Sequence, residues 1–558
     1  MSSTDRTLVP EQTVPLPRLG SPTGLLRWIA SVDHKQIGIM YIVAAFAFFV
    51  IGGTEALLMR AQLATPNGTF LSSQLYNELF TMHGTSMIFL VLTPMLIGFG
   101  NYFVPLMIGA RDVAFPRLNA LSLWTLVFGG LLLYFSFIAG EAPSAGWYAY
   151  PPLSSRVWAN GPGMDYYCVA LVITGLGSVA GAINLIVTII TLRAPGMGFR
   201  RLPLFVWLTF FTQLIIMYAF PSLNATLAML FLDRQFGAHF FVPREGGEVL
   251  LYQHYFWTFG HPEVYILVLP ALGMISEILP VFSRKPIFGY GFMVVSTVLI
   301  VVYSFAVWGH HMWVTGMGFW SDIFFSIGTL AIAVPTAIKI FNWISTIWGG
   351  NIRFTTAMMF SIVFLIQFVI GGVTGIQFAV IPFDRQVTDT YYVVAHIHYV
   401  FVGGTLTALY YWFPKMTGRM LSERLGRWHF WVTFIGFNMT FFVQHILGWI
   451  GMARRIYTYP DLPGMHEMNL LSTVGAFILG GSVWIFFWNV YISLKRGEPA
   501  GDNPWDANTL EWATSSPPPV HNFDAVPPIR SRRPIWDLNH PEAADYRLPD
   551  QREGTMKR

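Results

Sequence analysis

The amino-acid sequence predicts an all-α membrane protein, a bundle of twelve transmembrane helices with both termini on the cytoplasmic side. Three observations predict this fold class. Of the 558 residues, 54% are hydrophobic and only 11% are charged, whereas a soluble domain carries about 25% charged residues. Twelve apolar stretches each reach the roughly 20 residues that a membrane crossing requires. Lysine and arginine are unequally divided between the loops on the two sides, which predicts the orientation.

The predicted spans follow one another from residue 37 to residue 494. They are 37–59, 80–108, 118–140, 166–192, 204–232, 250–281, 287–313, 323–347, 358–382, 391–413, 429–451 and 470–494. This pattern divides the chain into an N-terminal tail (1–36), a twelve-helix domain (37–494) and a C-terminal tail (495–558). The C-terminal tail is rich in proline and charge, so we expect it to lie over the inner face without a fold of its own.

The orientation follows from the loop charges. An even number of spans places both chain ends on one side. The loops on that side hold Arg111, Arg117, Arg193, Arg200, Arg201, Arg284, Lys285, Arg353, Lys415, Arg419, Arg424 and Arg427. The opposite loops hold Arg60, Arg156, Arg234, Arg244, Arg385, Arg454 and Arg455. The excess of positive charge beside the chain ends predicts that both termini are cytoplasmic.

Composition excludes several classes of protein. The single cysteine, Cys168, excludes an internal disulfide and any cysteine-based cluster or zinc site within this chain. The net charge of +4 and the lack of a basic run give no indication of a nucleic-acid partner. The polar first residues lack the apolar core of a signal peptide, so we expect the first hydrophobic segment to be retained as an anchor.

Six histidines lie inside predicted spans: His83, His261, His310, His311, His396 and His398. Ionisable groups are costly there and usually functional. A single such histidine could equally be a hydrogen-bonded interior side chain. The predicted orientation, however, brings all six, from four helices, into the outer third of the membrane. This convergence favours a cofactor site.

The spacing of these histidines indicates two kinds of site. Helix positions i and i+2 point about 200° apart, so His396 and His398 cannot share one metal but can each ligate a different one. His261, His310 and His311 form a three-imidazole set suited to copper or a similar transition metal. Paired interior histidines without cysteine ligands favour heme over an iron–sulfur cluster.

Three local sequences make a family resemblance specific. Residues 260–265 (GHPEVY), 308–312 (WGHHM) and 395–399 (AHIHY) resemble the signature blocks of subunit I of heme–copper oxidases, closest to the cytochrome c oxidases. Further similar blocks are 98–119, 333–339 (AVPTAIK) and the tail sequence TLEWATSSPPP. The resemblance extends from Asp33 to about Phe523.

The resemblance implies two hemes of the heme a type. It implies that His83 and His398 are the two axial ligands of a low-spin heme, and that His396 is the single proximal ligand of a high-spin heme. Ile397 stands between these ligands where a phenylalanine is usual, which removes an aromatic electron path at that position.

The resemblance also implies a copper ion, copper B, held by His261, His310 and His311. In the family, Tyr265 is covalently joined to His261 and donates an electron and a proton to oxygen chemistry. From its position alone, one turn beyond His261, Tyr265 would be more typical of a packed interior tyrosine.

Three arginines and one aspartate complete the implied cofactor site. Arg454 and Arg455 resemble the pair that neutralises heme propionates, although each alone could be an interfacial cation. Arg60 resembles the residue that meets the formyl group of heme a. Asp389 is a candidate ligand of a magnesium ion shared with subunit II, but Thr388 stands where many members have a histidine ligand.

Two proton paths are implied. One leads from Asp112 to Glu263, with Asn101, Asn119 and Asn184 between them. A buried, unpaired glutamate should have a raised pKa, which suits a proton store. Asp112 alone would be read as a solvated loop charge.

The second implied path runs through Lys339, with Thr336 and Ser276, to Tyr265. Snorkelling of Lys339 to the inner surface is the alternative interpretation. The distance to that surface, roughly 12 Å by helical rise, is more than a lysine side chain spans.

By this resemblance the chain would be the catalytic subunit of a terminal respiratory oxidase in a bacterial cell membrane. It would reduce dioxygen to water with electrons from cytochrome c, delivered through subunit II, and would pump protons in a complex with subunits II and III. The nearest alternative is a quinol oxidase with the same core. A nitric oxide reductase should lack Tyr265, and a twelve-span transporter would need the histidines for substrate or protons.

Overall fold

The computed structural model describes residues 24–544, and over that range the chain is helical without a β-strand. Residues 1–23 and 545–558, which belong to the two predicted tails, lie outside the described residues. The twelve main helices are α1 (His34–Gln62), α2 (Ser73–Ile108), α3 (Pro116–Ile138), α4 (Gly163–Thr191), α5 (Leu204–Phe236), α6 (Val249–Ser283), α7 (Tyr290–Ser304), α8 (Phe319–Ile347), α9 (Thr356–Phe378), α10 (Tyr391–Thr417), α11 (Glu423–Trp449) and α12 (Met465–Arg496).

Eleven of these helices are long and apolar enough to cross a membrane, and α7 is the exception. Its 15 residues span roughly 22 Å, less than the hydrocarbon thickness of about 30 Å. After Ser304 the chain leaves α-helical geometry and forms a 3₁₀ turn over Trp308–Met312. The prediction of one continuous helix over 287–313 is therefore wrong, while the total of twelve crossings stays a prediction.

The turn after α7 has a steric cause. A Cβ atom on Gly309 would lie 2.2 Å from the ring of Phe325 on α8. The backbone therefore approaches α8 more closely than any residue with a side chain would allow. This close approach fixes the position of the two histidines that follow Gly309.

The helices pack mainly against their neighbours in sequence, with close pairs α1–α2, α3–α4, α5–α6 and α11–α12. Glycines allow the backbones of neighbouring helices to come into close contact. A Cβ on Gly38 of α1 would lie 2.8 Å from the carbonyl oxygen of Gly98 on α2, and a Cβ on Gly98 would lie 2.9 Å from the carbonyl oxygen of Gly38. Such small-residue contacts let helix backbones approach in membranes.

Two helices are irregular close to predicted site histidines. Helix α2 contains a π-helical segment, Ser86–Leu92, that begins three residues after His83. Helix α10 consists of two α-helical parts, Tyr391–Phe401 and Gly404–Thr417, separated three residues after His398. π-Bulges occur frequently at functional sites.

The C-terminal tail is ordered against the ends of the helices as far as it is described. Lys415 of α10 donates hydrogen bonds to three backbone carbonyls of the tail, those of Asp502, Thr514 and Ser515. Trp505 donates to a backbone carbonyl of α10 at 2.8 Å. Beyond α12 the described tail forms only short helical turns, and its buried side chains pack on the helix ends. That it lies over the inner face without a fold of its own stays a prediction.

Asn522 fastens the tail to the first two helices. Its side chain has no exposed surface. Its Nδ2 donates to the carbonyl oxygen of Ala110, which follows α2, at 2.8 Å, and its Oδ1 accepts from Nζ of Lys35 at 2.9 Å. The same amide lies 2.8 Å from Nε2 of His34. The tail is therefore part of the structure around the α2–α3 loop.

Replacing Asn522 with alanine should release this attachment. An unsatisfied buried partner costs about 1–3 kcal/mol, so amide exchange in the tail from 505 to 523 should become roughly 5- to 100-fold faster. Hydrogen–deuterium exchange of the purified protein measures this. His521→Ala, which removes the neighbouring exposed side chain, is the matched control, and equal acceleration in both variants would contradict the attachment.

Candidate functional site

Three imidazoles meet between α6 and the turn after α7. His261 lies on α6, and His310 and His311 lie on the Trp308–Met312 turn. Nδ1 of His261 is 3.3 Å from Nε2 of His311, and Nε2 of His310 is 3.1 Å from the same atom. The three ligand atoms lie within 4.8 Å of one another, and within the range 24–544 no other group of three or more candidate ligands meets this condition.

Neighbouring side chains fix two of these rings. The hydroxyl of Thr329 donates to the carbonyl of Phe325 at 2.6 Å, so its oxygen accepts from Nδ1–H of His310 at 2.8 Å. The protonated Nδ1 leaves the lone pair of His310 on Nε2, the atom that faces His311. The His311 ring stacks on Trp257 with a centroid separation of 3.9 Å.

This arrangement fits a metal ion. Metal–nitrogen bonds of about 2 Å at tetrahedral angles separate two ligand nitrogens by roughly 3.3 Å, close to the two distances observed. A lone pair on Nε2 of His310 directed at a neighbouring imidazole nitrogen requires a cation or a proton between the rings. Imidazole ligands suit copper, zinc and iron. The three histidines could therefore hold copper, as the sequence predicted.

The other three histidines share one feature, a hydrogen bond from Nδ1 to a backbone carbonyl. The acceptors are Gly52 for His83 at 2.8 Å, Gly371 for His396 at 2.9 Å and Val394 for His398 at 2.7 Å. A carbonyl can only accept, so each Nδ1 carries the proton and each Nε2 carries the lone pair. This is the tautomer of a metal-ligating histidine whose orientation the surrounding protein fixes.

His396 and His398 contact different neighbours, as their spacing predicts. His396 is bonded to α9 through Gly371 and through Thr374, whose Oγ1 lies 3.0 Å from Nδ1. The His398 ring stacks on Phe441 of α11 at 4.0 Å. The two Nε2 atoms could therefore serve two different heme irons.

Arg60 is buried with part of its guanidinium unpaired. Its Nη2 donates to the backbone and side chain of Asn469 and to Thr473 at 2.9–3.1 Å. Its Nε and Nη1 are buried and have no hydrogen-bond partner in the described chain. Two unpaired donors of a buried cation fit an oxygen acceptor on a cofactor, such as the formyl group that the sequence predicted.

Arg454 and Arg455 share one carboxylate, that of Asp389. The closest nitrogen–oxygen distances are 3.2 Å from Arg454 and 3.7 Å from Arg455. Arg455 also lies 4.1 Å above the ring of Tyr148. Burial lowers the pKa of the Arg454 guanidinium to about 10, and the adjacent Arg455 acts in the same direction. Arg454 therefore stays charged at neutral pH, and two adjacent arginines on one carboxylate give the pair excess positive charge that fits anionic heme propionates.

Asp384 was not identified from the sequence. Its carboxyl is close enough to Arg454 and Asp389 for their charges to affect its pKa. It sits on the short helix Ile381–Val387 and is buried, with one carboxylate oxygen unpaired among the described residues. Burial raises its pKa to about 7, opposed by Arg454. A short helix between two long ones gives no sequence signal of burial, so this group could be found only from the fold.

Tyr265 and Glu263 extend the site along α6. The rings of Tyr265 and His261 are edge to face with centroids 4.8 Å apart, and Nε2 of His261 has no hydrogen-bond partner. Glu263 is buried, and its Oε1 lies 3.1 Å from the hydroxyl of Thr93 on α2. No lysine or arginine nitrogen of the described chain lies within 4.0 Å of this carboxyl.

Asp112 and the three predicted asparagines lie near the cytoplasmic ends of α2, α3 and α4 in the predicted orientation. Burial raises the pKa of the Asp112 carboxyl. Asn184 accepts from the backbone N–H of Phe115 at 2.8 Å. Oδ1 of Asn101, Nδ2 of Asn119 and Nδ2 of Asn184 are buried without a protein partner. Buried polar atoms of this kind are sites for ordered water.

Lys339 is buried on α8 and bonds to α7. Its Nζ donates to the carbonyl of Met293 at 2.9 Å and to Oγ1 of Thr297 at 2.6 Å. Thr336 instead bonds to its own helix, and Ser276 accepts from Trp343 at 3.0 Å. The side chain therefore does not snorkel. Thr297, a residue that the sequence did not single out, is its hydroxyl partner.

Comparisons with known proteins agree with this site. The family described as Cytochrome C and Quinol oxidase polypeptide I matches residues 36–478. Cytochrome c oxidase subunit 1 of Bacillus subtilis (strain 168) is 50% identical over 92% of this chain and 83% of its own length. The probable cytochrome c oxidase subunit 1-beta of Nocardia farcinica is 49% identical over 96% of this chain and 92% of its own length.

A solved structure shows the same fold. The structure is that of a heme-copper terminal oxidase dimer determined by cryo-EM, with a TM-score of 0.72 at 20% identity. The match covers 83% of this chain and 84% of that chain. Together with the near 50% identity to curated relatives over most of their length, the match to the family over residues 36–478 shows that this chain belongs to the cytochrome c and quinol oxidase polypeptide I family.

Proposed function

We propose that this chain is the oxygen-reducing subunit of a terminal oxidase that takes electrons from cytochrome c and pumps protons across a bacterial plasma membrane. The observation that carries the proposal is the group of three imidazoles at His261, His310 and His311, beside a tyrosine and within a membrane bundle that holds three further oriented histidines. The names of the curated relatives support cytochrome c as the donor. A quinol oxidase is the alternative within the same family.

The cofactor proposal assigns a role to each histidine. His83 and His398 would hold a low-spin heme, His396 a high-spin heme, and the three imidazoles copper B. Bound hemes and copper would supply electron transfer and the reduction of dioxygen. Arg60 would bind the formyl group of a heme a, and Arg454 and Arg455 would neutralise propionates. Asp389 would bind magnesium together with subunit II, and subunit III would complete the complex.

The proton proposal rests on the buried polar groups at the cytoplasmic end. Asp112 would take up protons and water bound to Asn101, Asn119 and Asn184 would carry them toward Glu263. Glu263 suits a proton store because its carboxyl has only a threonine hydroxyl beside it. Lys339 would serve the second path, toward Tyr265. We further propose twelve membrane crossings with both termini in the cytoplasm.

The metal assignment can be tested by substitution. His311→Ala should remove copper and abolish oxygen consumption, while two irons per chain remain because their proposed ligands lie on other helices. Thr329→Val should lower copper affinity by roughly 10- to 100-fold, since partners that orient a ligand contribute that much. Elemental analysis and optical spectra measure both. Thr315→Val is the control, because the Thr315 hydroxyl bonds only to the backbone of Met312. Finding zinc in place of copper in the unaltered protein would contradict the assignment.

Asp112→Asn should lower oxygen consumption several-fold and abolish proton pumping, because an amide cannot take up and release a proton. Both heme spectra should be unchanged. Proton release and oxygen uptake by the reconstituted enzyme in vesicles measure the effect. Asp524→Asn is the control. Asp524 is an exposed aspartate of the tail, so this variant makes the same change of charge at the same end of the bundle. Normal pumping by the Asp112 variant would mean that this residue is only a loop charge.

Lys339→Met should assemble with both heme spectra intact and lose at least tenfold in oxygen consumption. Assembly should survive because the lysine has only neutral hydrogen-bond partners, and a charge within a membrane helix costs roughly 2.5–3.5 kcal/mol. Thr297→Val should lower the rate by a smaller factor, since it removes one acceptor from Nζ. Thr336→Val should have little effect because that hydroxyl bonds to Ile332 and makes no hydrogen bond to Lys339. A larger loss of oxygen consumption in Thr336→Val than in Thr297→Val would contradict this account of the proton path.

A further inference from the structure

The loop that joins α4 to α5 forms a basic cavity at the end of the helix bundle. The cavity has a volume of about 540 Å³, and its lining includes Arg193, Gly196, Gly198, Phe199, Arg200 and Arg201. No acidic residue contributes to the lining. The cavity lies where α4 ends and α5 begins, at the boundary of the membrane-spanning region.

Arg193 is held rigidly in this cavity. Its Nη1 donates to the carbonyls of Ile189 and Ile190 at the end of α4, at 2.5 and 2.8 Å, and its Nε donates to Met197 at 3.0 Å. Its guanidinium lies 4.0 Å from the ring centre of Phe199. These contacts fix the charge in place and leave Nη2 without a hydrogen-bond partner in the described chain.

The C-terminal tail contacts the loop that lines the cavity. Arg201 donates from Nη1 to the carbonyls of Gly196 and Ile529 at 2.8 and 3.1 Å. A Cβ on Gly196, whose φ is +89°, would lie 2.6 Å from the carbonyl oxygen of Ile529, so glycine permits this contact. The contact brings a second basic segment, residues 529–533 (IRSRR), next to the loop.

The three loop arginines carry positive charge that no acidic side chain of the described residues neutralises. No carboxylate lies within 4.0 Å of Arg193, Arg200 or Arg201. Arg200 is exposed and makes no hydrogen bond to the described residues. The segment from 192 to 204 contains no aspartate or glutamate. Fixed guanidinium groups with free donors are well suited to phosphate, which they bind through charge-assisted hydrogen bonds.

The lining of the cavity also includes an apolar side chain, Phe199, which is 40% exposed. It lies in the short loop between two membrane helices, α4 and α5. A free phosphate ion would use only the arginines. A ligand that has both a phosphate and hydrocarbon chains would use the arginines and Phe199 together.

We propose that this cavity binds an anionic phospholipid, with the headgroup phosphate against Arg193, Arg200 and Arg201 and an acyl chain against Phe199. Basic pockets beside membrane helices bind acidic lipid headgroups in this way. The inference does not depend on the proposed oxidase function.

The test uses the full-length protein, delipidated in detergent and titrated with phosphatidylglycerol or phosphatidylcholine, with bound lipid counted by native mass spectrometry. We expect one phosphatidylglycerol to bind in preference to phosphatidylcholine. Arg200→Gln should weaken phosphatidylglycerol binding about fivefold, the contribution of one cation near an anionic surface, and should leave phosphatidylcholine binding unchanged. Phe199→Ala should weaken the binding of both lipids.

Arg427→Gln is the matched control, because Arg427 is an exposed arginine beside a membrane helix at the same end of the bundle. An equal loss of phosphatidylglycerol in this control would overturn the site in favour of general surface charge. Inorganic phosphate and glycerol 3-phosphate form the second arm. If either binds as tightly as phosphatidylglycerol, the lipid assignment is overturned. Unaltered binding by Arg200→Gln, in a variant whose tail exchanges amide hydrogens normally, would also overturn it.

Discussion

The site depends first on the hydrogen bond from a histidine Nδ1 to a fixed acceptor, which orients four of the six histidines. His83, His396 and His398 donate to backbone carbonyls, and His310 donates to a threonine whose own proton is already committed. In a low-dielectric interior these bonds are hard to exchange for alternatives. Each bond selects a tautomer and presents Nε2 to the space where a metal would sit. The metal-binding chemistry is therefore determined by backbone positions as much as by the histidines themselves.

The three acceptor carbonyls lie inside α1, α9 and α10, whereas the irregular backbone lies beside the histidines. A regular helix uses its carbonyls in its own hydrogen-bond ladder, and an additional donor must share the acceptor. The break in α10 after His398 and the turn that carries His310 and His311 interrupt that ladder beside the site. Such irregular backbone is tolerated at membrane depth only where protein surrounds it. The bundle provides those surroundings, and Gly309 provides the space for the turn.

Much of this arrangement could be predicted from the sequence. Hydropathy predicted an apolar stretch for each of the twelve helices, because about 20 apolar residues leave little other choice in a bilayer. The i, i+2 spacing of His396 and His398 predicted their different neighbours, α9 and α11. The sequence could not give the end of α7 at Ser304, since residues 305–313 are as apolar as a helix would be. It also could not identify Thr297 or Thr329, because a threonine on a membrane helix usually bonds to its own backbone, as Thr336 does.

The C-terminal tail shows how a segment without a fold of its own can be held in place. It is rich in proline and charge, yet Trp505, Trp512 and Asn522 are buried against the helix ends. A tail needs little apolar surface of its own when the bundle presents unsatisfied groups to it. Lys415 and Lys35 are such groups, because a lysine near the end of a membrane helix needs acceptors, and the carbonyls of an extended, proline-rich segment are free to accept. Several backbone carbonyls of the tail are not used in hydrogen bonds within the described tail. They are therefore available to the lysines at the ends of the helices. The tail passes Asp112 on one side of the bundle end and the basic loop of α4 and α5 on the other, so one segment borders both the proposed proton entrance and the proposed lipid site.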